Sequence, residues 1–468
     1  MGSPLSIAFQ GAARTVTGSR HLIRFDQRAW LFDCGLYQGH RDEAERVNRT
    51  FAFDPSGLDA VVVSHAHLDH TGNLPTLVAQ GYRGRIHATP ATVHLSEFML
   101  ADSAFLQERD VEHVNKHAHG RPPRRPLYTP ANVRDTVGRF EPHAYHESWA
   151  LFEGVRVQYY DAGHILGSAL TTFEFQRGGR TVRLGMSGDL GRAGRPILRD
   201  PERHPGVEAL VLESTYGDRR HTPANESENA LAEIVERTAA RGGRVIVPAF
   251  AVGRTQELVA TFHGLCERGR VCELPIYVDS PMARNATSVF VRHPECFDDE
   301  TRRRFEVDEG APFGFKRLRY VGTPDESRSL NDVTQPCIVI AASGMCEGGR
   351  VLHHLRHGLG NDRNTVLFVG FQAEGTLGRR IRDGAETVNI FGEPVRVRAE
   401  VRALDGFSAH ADQQELVSWV SRLDPAPRRI FLVHGELGPA EMLAAALRDA
   451  VGADVRVPER GQEFELWN

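Results

Sequence analysis

Lysine is nearly absent from this chain: Lys116 and Lys316 stand alone among 56 basic residues, the rest being arginine. Acidic residues slightly outnumber basic ones, giving a formal net charge of −5, so the bulk composition does not mark a polyanion binder. A polyanion would have to meet a local basic surface. The six cysteines (Cys34, Cys266, Cys272, Cys296, Cys337 and Cys346) form no CxxC pair, which argues against a disulfide scaffold and a cysteine zinc ribbon. A reducing, cytoplasmic setting is the expectation. No stretch approaches the roughly 18 consecutive apolar residues of a membrane-spanning helix. The N-terminus also lacks the basic-then-apolar pattern of a secretory leader. At 468 residues the chain is too long for one ordinary core and fits two or three domains.

What is present is a change of texture along the chain. The first 100 residues alternate strand-length apolar runs, such as Leu5–Phe9, Ala29–Phe32 and Ala60–Val63, with glycine-containing turns. Helices are expected over 72–80 and 90–107, an exposed polar loop over 113–127, and strands over 155–160, 169–175 and 181–186. After about residue 215 helices alternate with buried strands: a helix over 226–241, the strand Arg244–Val247, a helix at about 254–268, then strands at 276–278, 337–341 and 365–369. That is the rhythm of a parallel sheet. From about 397 the first texture returns.

The most informative stretch is Val61-Val-Val-Ser-His65-Ala-His67-Leu-Asp69-His70. A buried strand ends and delivers four potential metal ligands within six residues. His65 and His67, two apart on extended backbone, project to one side and can grip one ion. Asp69 and His70, where the chain turns into a helix, can grip a second. Imidazole and carboxylate are the donors of catalytic zinc, which keeps a coordination position open for water. Further candidates stand where other strands end: His164 in Asp161-Ala-Gly-His164, Asp189 in Ser187-Gly-Asp189, and His434 in Val433-His434-Gly435. Asp33, in Leu31-Phe-Asp33-Cys-Gly35, is cast as a carboxylate fixing the tautomer of a ligating histidine; its bland alternative is a turn aspartate.

These residues resemble the metallo-β-lactamase superfamily, an αββα sandwich with a dinuclear site at one edge. The resemblance implies that His65, His67 and His164 hold one zinc, that Asp69, His70 and His434 hold the other, and that Asp189 bridges the two Zn2+ ions of each chain. Leu212-Glu213-Ser-Thr-Tyr-Gly217, Phe407-Ser-Ala-His410-Ala-Asp412 and Val433-His434-Gly435 are similar to the signature motifs of the β-CASP nucleases. The roughly 190 residues between the first two match that group's inserted domain. The implied organisation is a metallo-β-lactamase domain from 1–214 and 406–468, with an α/β β-CASP domain carrying a mostly parallel sheet over 215–405. The implied partner is single-stranded RNA, with no membrane and with a homodimer as the assembly seen among relatives.

The activity expected is hydrolysis of RNA phosphodiester bonds by metal-activated water, as endonuclease, 5′-exonuclease or both. His410, oriented by Glu213, is the candidate to protonate the leaving oxygen, beside Asp69 in the metal set. Arg254 opens a helix, where dipole and free N–H groups favour an anion. Ser343-Gly344 and Arg350 flank a glycine-rich turn able to cradle phosphate. The alternatives are a DNA nuclease, which the histidine at 434 disfavours because DNA-repair members carry an apolar residue there, and a small-molecule metallo-hydrolase, which needs no 190-residue insert.

Overall fold

The computed structural model describes residues 4–39, 41–116, 123–271, 274–307, 313–373 and 375–467. These fall into two compact units. The first comprises Met1–Ala193, Asp200–Arg220 and His410–Asn468; the second comprises Gly194–Arg199 and His221–Ala409.

The first unit contains two seven-stranded sheets. Strands β1 (Leu5–Gly11), β2 (Arg20–Phe25), β3 (Arg28–Phe32), β4 (Ala60–Val62), β5 (Arg85–Ala88) and β6 (Phe140–Pro142) lie side by side, with β22 (Glu463–Trp467) added at the β1 edge. The second sheet runs β7 (Ser148–Phe152), β8 (Val155–Asp161), β9 (Ala169–Arg177), β10 (Arg180–Met186), β11 (Ala209–Glu213), β20 (Arg429–Val433) and β21 (Asp454–Arg456). Side chains alternate across each strand, so one face of each sheet supplies a shared core: Ile7, Ile23, Trp30 and Val62 meet Phe173, Phe175, Val211 and Phe431. The outer face of the first sheet (Leu31, Val61, Ile86) is covered by Leu74 and Leu77 of the helix Leu74–Ala79. The outer face of the second (Leu210, Leu212, Ile430) is covered by helices Gln413–Ser421 and Leu437–Val451. Each fully buried Phe or Leu contributes about 1.5–3 kcal/mol, and this double burial explains why β4 and β11 read as continuous apolar runs.

The second unit is built on a six-stranded sheet. In chain order its strands are β12 (Val245–Pro248), β13 (Ile276–Asp279), β14 (Leu318–Tyr320), β15 (Ile338–Ala341), β16 (Thr365–Phe368) and β19 (Glu400–Ala403). Their order across the sheet is β14-β13-β15-β12-β16-β19, and every neighbouring pair is parallel. A separate hairpin, β17 (Thr387–Ile390) with β18 (Glu393–Arg396), is antiparallel. Helices cover both faces: Ala224–Ala240 and Arg254–Glu267 on one, Val351–Gly358 and Leu377–Arg382 on the other. This is the largely parallel inserted domain that the resemblance implies.

Two details depart from the sequence reading. The loop expected from 113 begins later, because the helix Pro90–Lys116 carries His113 with it. The spacing of Glu112 and Lys116 favours a helix over a loop at that end, and the Asn115 amide brackets the Arg124 backbone through both its oxygen and its nitrogen. Of that expected loop, residues 117–122 lie outside the described residues. Residues 215–220, read as part of the second domain, belong to the first unit, while 406–409 and Gly194–Arg199, read as part of the first domain, belong to the second. There Ile197 accepts a backbone hydrogen bond from Asp298, Leu198 bridges Phe297, and Arg195 pairs with Glu257 and donates to the Gly406 carbonyl.

Candidate metal centre

The ligand-bearing loops sit at the ends of strands from both sheets of the first unit, β4 in one and β8, β10 and β20 in the other. After β4 the chain runs through Ser64 and His65 to His67, which caps the one-turn helix Leu68–Thr71 carrying Asp69 and His70. That turn is pinned by backbone bonds from Ser19 to Asp69, Cys34 to His70 and Leu36 to Leu68. His164 follows β8 after Gly163, Asp189 follows β10 after Gly188, and His434 follows β20. Gly188 has φ +54°, and a Cβ there would lie 2.6 Å from Cβ of Ser64, so the approach of the Asp189 loop to β4 requires glycine.

All seven expected ligands converge. His65 Nε2 lies 3.1 Å from His67 Nδ1 and 3.3 Å from Asp189 Oδ2. His164 Nε2 lies 3.4 Å from His67 Nδ1 and 3.5 Å from Asp189 Oδ2. Zinc bonds of about 2.0–2.1 Å arranged tetrahedrally place neighbouring donors roughly 3.3 Å apart, which matches these four. The other oxygen of Asp189, Oδ1, faces His70 Nε2 at 3.3 Å and His434 Nδ1 at 3.5 Å, while His434 Nε2 is 3.3 Å from Asp69 Oδ2. Among the described residues neither His70 Nε2 nor Asp189 Oδ1 has a hydrogen-bond partner, although both are fully buried. Buried polar atoms are seldom left so; cations would satisfy both, and the donor set fits them.

Electrostatics agree. Burial pushes His65, His67 and His164 below the usual imidazole range, His67 to about 3, which leaves them neutral with lone pairs to offer. Burial opposes protonation of His70 too, but Asp189 and Asp33 outweigh it and raise the group well above its ordinary value. Burial would likewise raise Asp189, yet the His434, His70 and His65 rings hold it well below the carboxylate range. The cluster thus carries unbalanced negative charge wherever its imidazoles are neutral.

Asp33, whose φ is +60°, sits behind the ligands. It accepts from His70 Nδ1–H at 2.7 Å, from the Ser64 N–H at 2.8 Å and hydroxyl at 2.9 Å, and from the Ser19 hydroxyl at 3.2 Å. On the far side the Thr215 hydroxyl lies 3.1 Å from His434 Nδ1 and donates to the His434 carbonyl, while Ser214 donates to that of Val433. Ser19, Ser64, Ser214 and Thr215 were not singled out from the sequence. Hydroxyl residues are too common for sequence to flag them, and only adjacency to His65 and to Glu213 offered a signal.

Glu213, the last residue of β11, is fully buried and holds His410 Nδ1 at 3.0 and 3.1 Å from its two oxygens. The Ala411 N–H donates to the Leu190 carbonyl, and the Leu190 N–H donates to Glu213 Oε1, which fixes His410 beside Asp189. Two residues past His410, Asp412 caps the helix Gln413–Ser421 reciprocally with Glu415. Burial works against a charge on His410, but Glu213 outweighs it, with help from Asp189 and Asp69, and lifts the ring to about 9.

The expected phosphate contacts lie in the second unit, among different company. Arg254, at the first turn of its helix, is buried and paired with Glu257. Arg350 donates to Asp279 Oδ1 at 2.6 Å and to the Val321 and Gly322 carbonyls. Ser343 Oγ accepts from the Glu347 N–H, and the Gly344 carbonyl accepts from Gln372.

Comparison with known proteins agrees with this architecture. Residues 17–249 match the metallo-beta-lactamase superfamily, 255–381 the Beta-Casp domain, and 394–458 a Zn-dependent metallo-hydrolase RNA specificity domain. A ribonuclease of Thermus thermophilus is 40% identical over 428 residues, covering 91% of this chain and 92% of that protein. Two proteins named transcription termination factor FttA are similar: that of Methanocaldococcus jannaschii is 31% identical over 92% of this chain and 67% of its own length. That of Thermococcus kodakarensis is 32% identical over 97% and 70%. A crystal structure of a protein of unknown function from Enterococcus faecalis shares the fold, with a TM-score of 0.54 and 13% identity over 99% of this chain and 100% of that one. Among the described residues no helix is long and apolar enough to cross a membrane. With its ligand loops, its inserted parallel sheet and its relatives taken together, the chain belongs to the β-CASP family of metal-dependent hydrolases in the metallo-β-lactamase superfamily.

Proposed function

We propose that this chain is a zinc-dependent ribonuclease that cuts phosphodiester bonds of single-stranded RNA, as an endonuclease, a 5′-exonuclease or both, in RNA processing or decay. The observation that carries this reading is the carboxylate of Asp189, one oxygen toward His65 and His164 and the other toward His70 and His434. Two zinc ions held by His65, His67 and His164 and by Asp69, His70 and His434 would supply activated water and charge compensation at the scissile phosphate.

The remaining work falls to the chain itself. Asp33 and Ser64 orient the His70 ring so that Nδ1 is engaged and Nε2 faces the ligand set. Glu213 holds Nδ1 of His410 and keeps the ring protonated at neutral pH, so that Nε2 can hand a proton to the leaving 3′ oxygen. RNA as the polymer is supported by the name of the Thermus relative and by the RNA-specificity description matched over 394–458. Arg254 and Arg350 enter this reading as organisers of the second unit through Glu257 and Asp279, with Ser343 and Gly344 as the candidates for phosphate.

The test uses purified wild type and Asp189→Ala on end-labelled single-stranded RNA and matched DNA, with EDTA and zinc add-back. The expected result is RNA cleavage that EDTA abolishes, zinc restores and the variant lacks, with product lengths giving the mode. Cleavage of DNA alone would replace the proposal with a DNA nuclease, and cleavage of neither polymer by the zinc-loaded protein would overturn it.

A further inference from the structure

The neighbouring strands β5 and β6, with the residue that follows β6, hold a second group of donors that the chemistry above does not use. His87 on β5 and Glu141 on β6 are register partners, so their side chains share a sheet face. His143, two residues past Glu141, returns to that face by strand alternation. His87 Nδ1 lies 3.0 Å from His143 Nε2, and Glu141 Oε1 lies 3.8 Å from the same nitrogen. One donor atom from each of the three falls within 4.8 Å of the others. Both histidines are buried, and burial holds both imidazoles below their ordinary range, His87 at about 4, so that each presents a lone pair at neutral pH.

We propose that His87, Glu141 and His143 form a second divalent transition-metal site, separate from the Asp189 centre and structural in role. Its histidine nitrogens approach as closely as those of the main ligand set, where the separations are 3.1 and 3.4 Å. Two imidazoles and one carboxylate suit zinc, with copper, nickel and cobalt as competitors. Trp149 of β7 lies flat on the His143 ring, centroids 3.9 Å apart and planes 5° from parallel, which fixes the ring for coordination. Glu147 Oε1 stands 4.0 Å from the other ring nitrogen of His143, so a carboxylate lies near the ring without a direct hydrogen bond to it. Arg85 Nε faces Glu141 Oε2 at 3.8 Å, leaving Oε1 turned to the histidines. The Glu141 side chain is 46% exposed, so water can complete the coordination from that side. Because His87 is on β5, Glu141 on β6 and His143 just past it, an ion here ties the last two strands of the first sheet together at its edge.

The experiment strips full-length protein with chelator, reloads it with Zn2+, removes excess ion and measures zinc per chain. His143→Gln is expected to carry one equivalent less than wild type, with metal-dependent cleavage unchanged. Glu141→Gln, at a half-exposed position with little risk to folding, is expected to weaken the same equivalent at least tenfold in a chelator competition. Equal zinc content and equal competition curves for wild type and both variants would overturn the proposal and leave the 3.0 Å contact as a proton shared between two imidazoles. The difference is read on bound metal, whether or not the chain cuts RNA.

Discussion

The Nδ1–H of His70 donates to Oδ2 of Asp33 at 2.7 Å, bridging 37 positions of sequence, and leaves Nε2 of the same ring 3.3 Å from Asp189. One carboxylate thereby decides which nitrogen the ring offers to a cation. Asp33→Ala should lower zinc affinity by about 10–100-fold, measured by competition with a chromophoric chelator. Unchanged affinity would mean that Ser64 and the backbone suffice to hold the ring.

The pairing of Glu213 with His410 sets a pH limit. A proton donor must be protonated, so its contribution is present below its pKa and lost as pH rises through it. With His410 lifted to about 9, kcat/KM should fall on the alkaline side at or below that pH, because bound cations oppose the elevation. Glu213→Gln should move the alkaline limb to lower pH, and His410→Ala should reduce kcat by about 10²–10⁴-fold. A limb that stays in place in Glu213→Gln would assign it to another group.

Gly188→Ala should disturb the centre without touching a ligand. The left-handed φ of +54° costs a non-glycine residue roughly 1–2 kcal/mol, and the 2.6 Å approach to Ser64 adds a clash with a side chain that itself holds Asp33. The expected outcome is a lower melting temperature and reduced zinc content at fixed free zinc. A variant that matches wild type in both would show that the Asp189 loop can shift freely.

In the second unit, Asp279 accepts from Arg350 at 2.6 Å, from His354 at 2.7 Å and from the Ser327 hydroxyl at 2.5 Å, all on a fully buried carboxylate. Burial alone would raise its pKa, but these three partners lower it below the ordinary carboxylate value. Its contribution to stability is therefore full above that ordinary value, near 4, and is lost as pH falls through the depressed one. Asp279→Ala strands the arginine and should destabilise the unit by about 3–5 kcal/mol, read by urea unfolding at pH 7. A loss below 1 kcal/mol would show the network to be dispensable.

How legible these features were depends on how far apart the partners lie in the chain. His65, His67, Asp69 and His70 were readable because one strand end delivers them all, and His164, Asp189 and His434 because each follows a strand rich in β-branched or apolar residues. The parallel sheet of the second unit was legible for the same local reason. Ser64 and Thr215 were not, since a hydroxyl carries meaning only beside a particular imidazole. Arg254 and Arg350 looked available for phosphate in the sequence. Glu257 is three residues from the first, whereas Asp279 is 71 positions from the second and reaches it only through the packing of β13 against its neighbours.

By itself, then, the sequence determined the identity and order of the donors, the strands that carry them and the two alternating textures of the chain, because periodicity and strand ends are local. Tertiary structure alone decided which oxygen of Asp189 faces which imidazoles, that Asp33 orients His70, that the guanidinium group of Arg350 is taken by the carboxylate of Asp279, and that His87 meets Glu141 and His143. Each of these depends on separations of a few Å between residues distant in sequence, and such separations are fixed only when sheets pair in register and their faces are buried.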